Sequence, residues 1–195
     1  QDIEHLTNYY KKFGIGRYPT SIMIPAREGY LPHHTQFTSR DKVSSCYGYG
    51  VTLSALQIAQ AYSVFANDGN FIELKLFTEH SFDKPMKERV ISEETNQIIL
   101  KMLVETVNSK SGTASKARIN NMIVAGKTGT AKETLAEETT YTGTFAGFVP
   151  SKDPEFLAVV VLHGLSGEDY SGGKVSAPVF SNIMQQIFLS KDLKI

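Results

Sequence analysis

The chain has 195 residues, 41% of them apolar, which suits one domain or a large part of one and can fill a packed core. Its 20 basic and 20 acidic side chains cancel, so no basic excess points to nucleic acid and no acidic tail to a disordered, solvating role. A lone cysteine, Cys46, excludes an internal disulfide framework and a cysteine zinc site, and the longest strongly apolar run, 156–162, is far short of the ~20 residues of a membrane helix.

The first residue is Gln1, directly in a helix-like segment with no signal peptide, which suggests a fragment or processed piece with any anchor upstream. Ile3, Leu6, Tyr10 and Phe13 predict a helix over 1–13, with Asp2 as a cap and Gly14 and Gly16 as stop signals. Residues 15–40, with Pro19, Pro25, Gly29 and Pro32, read as a long turn-rich surface excursion. A glycine cluster at 47–50 precedes a helix that Ser54 can cap and Asn67-Asp68-Gly69 ends. Its expected apolar face is Leu56, Ala59 and Phe65, widened by Ile58 and Tyr62. A strand is expected at 71–77, then a long helix capped by Ser92 and carrying Ile98, Ile99, Met102, Leu103 and Val107.

After a polar loop at 108–116, the apolar run 122–124 leads as a strand into Gly126-Lys127-Thr128-Gly129-Thr130. Two further strands, 144–149 and 156–162, flank a hairpin turn at 150–154. The last helix is expected to be capped by Ser176, with Pro178 in its first turn and Phe180, Ile183, Met184 and Ile187 on its apolar face. Successive strands near the C-terminus predict an α+β fold, an antiparallel sheet flanked by helices.

The stretch from Lys127 to Thr130 carries the most chemistry. A lysine at a strand brings a point charge with three donors, threonine adds a hydroxyl, and glycine lets a ligand backbone lie close. Together these suit a carboxylate, and the N–H after the glycine can face a developing oxyanion. Gly126-Lys127-Thr128 also resembles the end of a P-loop, with 131–138 as the helix after it. That motif needs a glycine where this chain has Asn121, and a glycine-rich cradle where it has Met122-Ile123-Val124.

The neighbourhood resembles the penicillin-binding transpeptidases, whose motif set includes Lys-Thr-Gly together with Ser-x-x-Lys and a Ser-x-Asn element. The resemblance rests on Gly126 to Ala131, on Gly112-Thr113 and Ala117 before it, and on Thr144-Phe145-Ala146-Gly147-Phe148-Val149-Pro150 with Pro154 after it. Gly172-Gly173 with Ser176-Ala177-Pro178-Val179-Phe180, Phe13 to Gly16, Gly48 to Gly50 and Ser54 to Ala59 extend it over almost the whole chain. Ser54 and Ala55 stand where the family usually has threonine and proline, a mild departure because serine keeps the cap. The ending resembles the monofunctional class B branch, and the two glycine segments lean towards its cell-division members.

The resemblance implies a partial penicillin-binding/serine β-lactamase-like fold, with residues 1–195 as the C-terminal portion of one transpeptidase domain. It implies a serine that attacks a D-alanyl-D-alanine stem peptide and passes the acyl group to an amine of a neighbouring stem, with β-lactams acylating the same serine. Lys127, Thr128, Gly129 and Thr130 would bind the substrate carboxylate, and the Thr130 N–H would form half the oxyanion hole. No cofactor is implied. The implied partners are stem peptide, β-lactam, the upstream half of the domain and the cell-division machinery, on the periplasmic or outer face of a membrane.

The nucleophile is the departure. In Ser81-Phe82-Asp83-Lys84 a proline follows, and Ser171-Gly172-Gly173-Lys174 reads as a loop because of its two glycines. No Ser-x-Asn occurs, so the serine, its lysine and that element belong before Gln1, and the chain alone should not acylate. Alternatives on the same fold are a D,D-carboxypeptidase or β-lactamase; from another class, a non-catalytic binding piece. Expected without the upstream half are exposed apolar surface and strand edges, hence low solubility or self-association.

Remaining residues read as structural. His33-His34 should point apart on an extended chain, without a third metal ligand. His163 ends an apolar strand, Glu93-Glu94 suits a helix N-terminus, Glu137-Glu138 a solvated face, and Tyr47 and Tyr49 a cleft rim or loop packing. Residues 167–173 are loose enough for a mobile rim near the site.

Overall fold

The structure is a computed structural model that describes residues 3–16, 29–75, 87–135 and 138–192. It divides into two compact units, 1–92 and 93–195. No helix among the described residues is long and apolar enough to cross a membrane.

In the first unit, helix α1 (Ile3–Lys12) stops where expected, at Gly14 and Gly16 with φ of 82° and 72°. Asp2 lies outside the described residues. The Tyr10 hydroxyl donates to the Ser45 carbonyl at 2.7 Å, and burial, then Cys46, push its phenol up. The turn-rich excursion is shorter than expected, because Ser39–Ser45 forms a helix, α2. Thr38 and Asp41 start it as a capping box, the Asp41 N–H donating to Thr38 Oγ1 at 3.2 Å and the Thr38 N–H to Asp41 Oδ2 at 2.9 Å. Hydrogen bonds from the Thr38 hydroxyl and then its N–H hold the Asp41 carboxyl below the usual carboxylate range.

Helix α3 (Ala55–Ala66) has the expected Ser54 cap and ends at Asn67. Its buried face is instead Gln57, Gln60, Ser63 and Val64. Gln60 explains why amides face inward: its Nε2 donates to the Ile72 carbonyl at 2.6 Å and its Oε1 accepts from the Leu74 N–H at 2.9 Å. These bonds hold down a short strand, so burial is not penalised. That strand, β1 (Asn70–Ile72), pairs antiparallel with β2 (Lys87–Arg89). It stops before Phe77, and the last residues of the expected 71–77 strand lie outside the described ones.

In the second unit, α4 (Glu93–Asn108) begins right after Ser92, with Glu93 and Glu94 in its first turn. Asn96, Leu103 and Val107 are its buried residues, while Ile98 and Met102, expected inward, are exposed. Asn108 Nδ2 donates to the carbonyls of Val104 and Val124 at 2.7 and 2.8 Å, tying the helix end to the sheet. A single 3-10 turn, Ser115–Ala117, leads on towards the sheet.

Strands β3 (Ala125–Leu135), β4 (Glu138–Val149) and β5 (Phe156–Leu165) form an antiparallel sheet in the order β3-β4-β5. The 150–154 turn joins the last two as expected, and all three strands run longer than the sequence suggested. Helix α5 (Gly172–Asp192) packs on the face that carries Phe145, whose ring meets Phe180 edge-on at 4.8 Å. With Val107, Val124, Val149, Val160 and Met184 these build one apolar core.

Helix α5 starts four residues before the expected cap. Ser176 lies inside it, its hydroxyl donating to the Gly143 carbonyl at 2.9 Å, and Pro178 lies inside it too. Close packing explains the early start. A Cβ on Gly172 would lie 2.2 Å from the Thr144 carbonyl oxygen and one on Gly173 2.2 Å from that of Thr113. Only glycine lets the helix settle there, and the contact outweighs its poor helix propensity.

Candidate active-site strand

The Lys127–Thr130 stretch sits on β3, the outer strand of its sheet, so one long edge of β3 has no strand partner among the described residues. Register divides its side chains. Lys127, Gly129, Ala131 and Glu133 oppose Ala146, Thr144, Thr142 and Thr140 on one face; Thr128 and Thr130 oppose Phe145 and Gly143 on the face that carries α5.

Lys127 is exposed, and its Nζ donates to the Thr128 carbonyl at 3.0 Å and to Thr128 Oγ1 at 3.4 Å. An ammonium and a hydroxyl from opposite faces thus converge at the strand. Thr128 Oγ1 lies 3.2 Å from Thr113 Oγ1. The Gly172 N–H donates to Thr130 Oγ1 at 3.2 Å, which leaves the Thr130 hydroxyl proton free to point at a ligand. Thr113 and Gly172 are supports that the sequence reading did not assign; Gly112-Thr113 and Gly172-Gly173 were visible only as family-like spellings.

The two motif glycines differ. A Cβ on Gly126 would lie 2.5 Å from Phe145 Cζ and 2.8 Å from the Ala146 carbonyl oxygen, so the fold itself requires glycine there. A Cβ on Gly129 would meet only Thr144 Cβ, at an ordinary 3.6 Å, and Gly129 is exposed. Nothing inside the described protein demands a missing side chain at 129.

The nucleotide-binding reading fails here. Ala131 to Leu135 continue the strand, so no helix N-terminus follows Lys127 to receive phosphates. Ser-x-x-Lys is spelled three times: Ser39 to Lys42, which the sequence reading passed over, forms the first turn of α2, and Ser81 to Lys84 lies outside the described residues. Ser171 to Lys174 is not the expected loop but the entry to α5, with the Lys174 N–H donating to the Ser171 carbonyl at 2.8 Å. Lys174 is occupied: its Nζ is 2.9 Å from Asp169 Oδ1, a bond that lowers the carboxyl pKa and raises that of the ammonium.

The 167–173 stretch is tied down by that ion pair, by Tyr170 stacked on Tyr141 at 3.9 Å, and by the start of α5. His33 and His34 do not point apart; their rings meet at 4.1 Å beside a 3-10 turn, and His33 Nδ1 is 2.8 Å from Thr35 Oγ1. Tyr47 and Tyr49 are exposed, their rings edge to face at 5.6 Å. Glu138 is exposed, and Glu137 lies outside the described residues. His163 is exposed on β5, with Nδ1 3.0 Å from Thr142 Oγ1.

A family model described as the penicillin binding protein transpeptidase domain matches residues 2–185. The peptidoglycan D,D-transpeptidase FtsI of Buchnera aphidicola subsp. Schizaphis graminum is 33% identical over 97% of this chain and 33% of its own length. FtsI of Escherichia coli is 30% identical over 97% of this chain and 32% of its own length. The chain therefore spans about a third of these relatives. Among solved structures, the apo transpeptidase domain of Burkholderia pseudomallei penicillin-binding protein 3 superposes with a TM-score of 0.86 at 29% identity, over 100% of this chain and 59% of that one.

Proposed function

We propose that this chain, which belongs to the penicillin-binding protein transpeptidase family, supplies the substrate-carboxylate site of a class B peptidoglycan D,D-transpeptidase of the cell-division type. Residues 1–195 are the C-terminal portion of a single transpeptidase domain, a reading supported by a family match that runs through both units. The parent is membrane-anchored with this domain outside the cytoplasm, and cross-links stem peptides through a serine acyl-enzyme that β-lactams also form. The upstream half of the domain brings the serine, its lysine and the Ser-x-Asn element, and the division machinery is the protein partner.

The observation that carries this reading is the open edge of β3. Lys127 presents a cation beside the Thr128 and Thr130 hydroxyls, and Gly129 leaves room that the fold does not use. A D-alanine carboxylate fits there: charge-assisted bonds from the ammonium and two hydroxyl donors match its oxygens. A peptide laid antiparallel along the edge brings its last amide carbonyl towards the Thr130 N–H, half of an oxyanion hole.

Two measurements test this on the chain as it stands. In an NMR titration, a peptide ending in D-alanyl-D-alanine should shift the amides of 127–130, and Lys127→Ala should weaken binding by about tenfold or more, the scale of a lost charged hydrogen bond. Shifts elsewhere only would refute the assignment. After incubation with penicillin, intact-mass analysis should find no adduct; acylation of Ser39, Ser171 or any other serine would overturn the claim that the nucleophile lies outside this chain. A non-catalytic binding piece is favoured by one observation only, that Lys174 is held by Asp169. Acylation of the parent by fluorescent penicillin would exclude it.

A further inference from the structure

The start of α5 lies against the motif strand. The Gly172 N–H donates to Thr130 Oγ1 at 3.2 Å. A Cβ on Gly172 would lie 2.5 Å from the Gly129 carbonyl oxygen, and one on Gly173 3.5 Å from Thr128 Cγ2. Whatever holds the first turn of α5 in place therefore also sets the surroundings of Thr128, Gly129 and Thr130.

That turn is a poor helix by its own chemistry. Two glycines open it, and glycine is the weakest helix former after proline. Lys174 puts a cation at the positive end of the helix, the wrong sign for its dipole. Ser166 to Asp169 are exposed, and a Cβ on Gly167 would meet nothing within 4 Å, so the chain enters the helix with little packing to guide it. Asp169 answers both defects. Its Oδ1 lies 2.9 Å from Lys174 Nζ, so the pair brackets Tyr170 to Gly173, neutralises the lysine and places a carboxylate where the dipole favours one. Lys116 lies near enough to act on the same carboxylate. The Tyr141–Tyr170 stack anchors the residue just before the turn, and the ion pair closes the turn itself.

We propose that Asp169 and Lys174 are positioning residues for the carboxylate site: their ion pair holds the glycine turn of α5 closed and so keeps the Gly172 N–H on Thr130 Oγ1. The inference rests on the carboxylate reading above. With the turn closed, the Thr130 oxygen is engaged as an acceptor and its proton is left for the ligand. With the turn open, the hydroxyl regains its other rotamers and its proton turns elsewhere. Only the closed fraction of molecules then binds well, and the apparent affinity falls with that fraction. The side chains of the pair are 54% and 76% exposed, so the support is weak and its loss shifts the turn a few-fold without unfolding the sheet. Lys174 on this reading acts through Thr130 and does not touch the peptide.

The test uses NMR on the 195-residue chain with N-acetyl-D-alanyl-D-alanine as the probe. Asp169→Asn and Lys174→Gln each remove the pair but change the net charge in opposite senses. Each should speed hydrogen exchange of the Gly172 amide about two- to fivefold, the scale of an exposed ion pair, and each should weaken the peptide by about twofold. The double variant should lose no more than either single one. In Thr130→Val, which lacks the hydroxyl, Lys174→Gln should cost the peptide nothing further. Affinities that move in opposite directions in the two single variants would reveal long-range charge alone and overturn the proposal, as would unchanged exchange at Gly172. If exchange rises and the peptide affinity holds, the carboxylate reading stands and this one falls. If the parent chain binds no peptide, both fall.

Discussion

Replacing Gly129 by alanine separates a glycine kept for a ligand from one kept for the fold. The new methyl meets only Thr144 Cβ at 3.6 Å, and Gly129 has no positive φ, so the backbone accepts alanine. The substitution also restricts the unfolded chain, which by itself stabilises by about 0.4–1 kcal/mol. Gly126→Ala is the control. Its methyl would lie 2.5 Å from Phe145 Cζ and 3.0 Å from the Gly147 Cα, in a packed region that cannot yield cheaply. Overpacking of that kind costs about 1–3 kcal/mol. The unfolded-state gain is common to both variants, so urea unfolding should place them about 1–3 kcal/mol apart, with Gly129→Ala at or above the parent. The same Gly129→Ala protein should lose the peptide, because its methyl stands where the ligand backbone approaches β3. Equal destabilisation of both variants would refute the division of labour. Unchanged peptide binding by Gly129→Ala would refute the role of that space.

Further expectations concern the core, the surface and pH. Phe180→Ala removes the edge-on partner of Phe145 at 4.8 Å, and should cost about 3–5 kcal/mol in urea unfolding; a loss below 1 kcal/mol would mean that the Phe145 face can collapse. Lys127→Ala, at an exposed position, should leave stability within about 0.5 kcal/mol of the parent while weakening peptide binding. Burial pushes the Tyr62 phenol up to about 12, so the unfolded chain ionises first, and stability should fall as pH rises from about 10 towards 12. The fall should be smaller in Tyr62→Phe, and an unchanged alkaline profile would contradict the shift. The chain alone should self-associate, because Ile98 and Met102 on α4 and Val179 and Ile183 on α5 are exposed; a monomer at all concentrations in sedimentation would contradict this.

Local chemistry made much of this protein legible from its residues. Ser54 with Gln57, the glycines after α1, the acidic start of α4 and the 150–154 turn each carry their own stop or start signal, because the groups that satisfy the backbone lie within a few residues. The strand at Lys127–Thr130 was legible for the same reason, an apolar run leading straight into it, while the carboxylate chemistry its residue types suggest is the proposal made above. Helix α2 was missed although Thr38 and Asp41 spell a capping box, because seven residues without a buried apolar stripe give no periodicity to detect.

What tertiary contact decided is different in kind. Gln60 faces inward beside Val64 on α3, because the Ile72 carbonyl and the Leu74 N–H need partners that no local rule reveals. Gly172 and Gly173 begin a helix that their propensity opposes, because β3, β4 and Thr113 come too close for any side chain. The meeting of Glu133, Thr142 and His163 depends on the register of three strands and on one bulge. Residue type settles which groups can bond; only the folded sheet settles which of them are within 3–4 Å of each other.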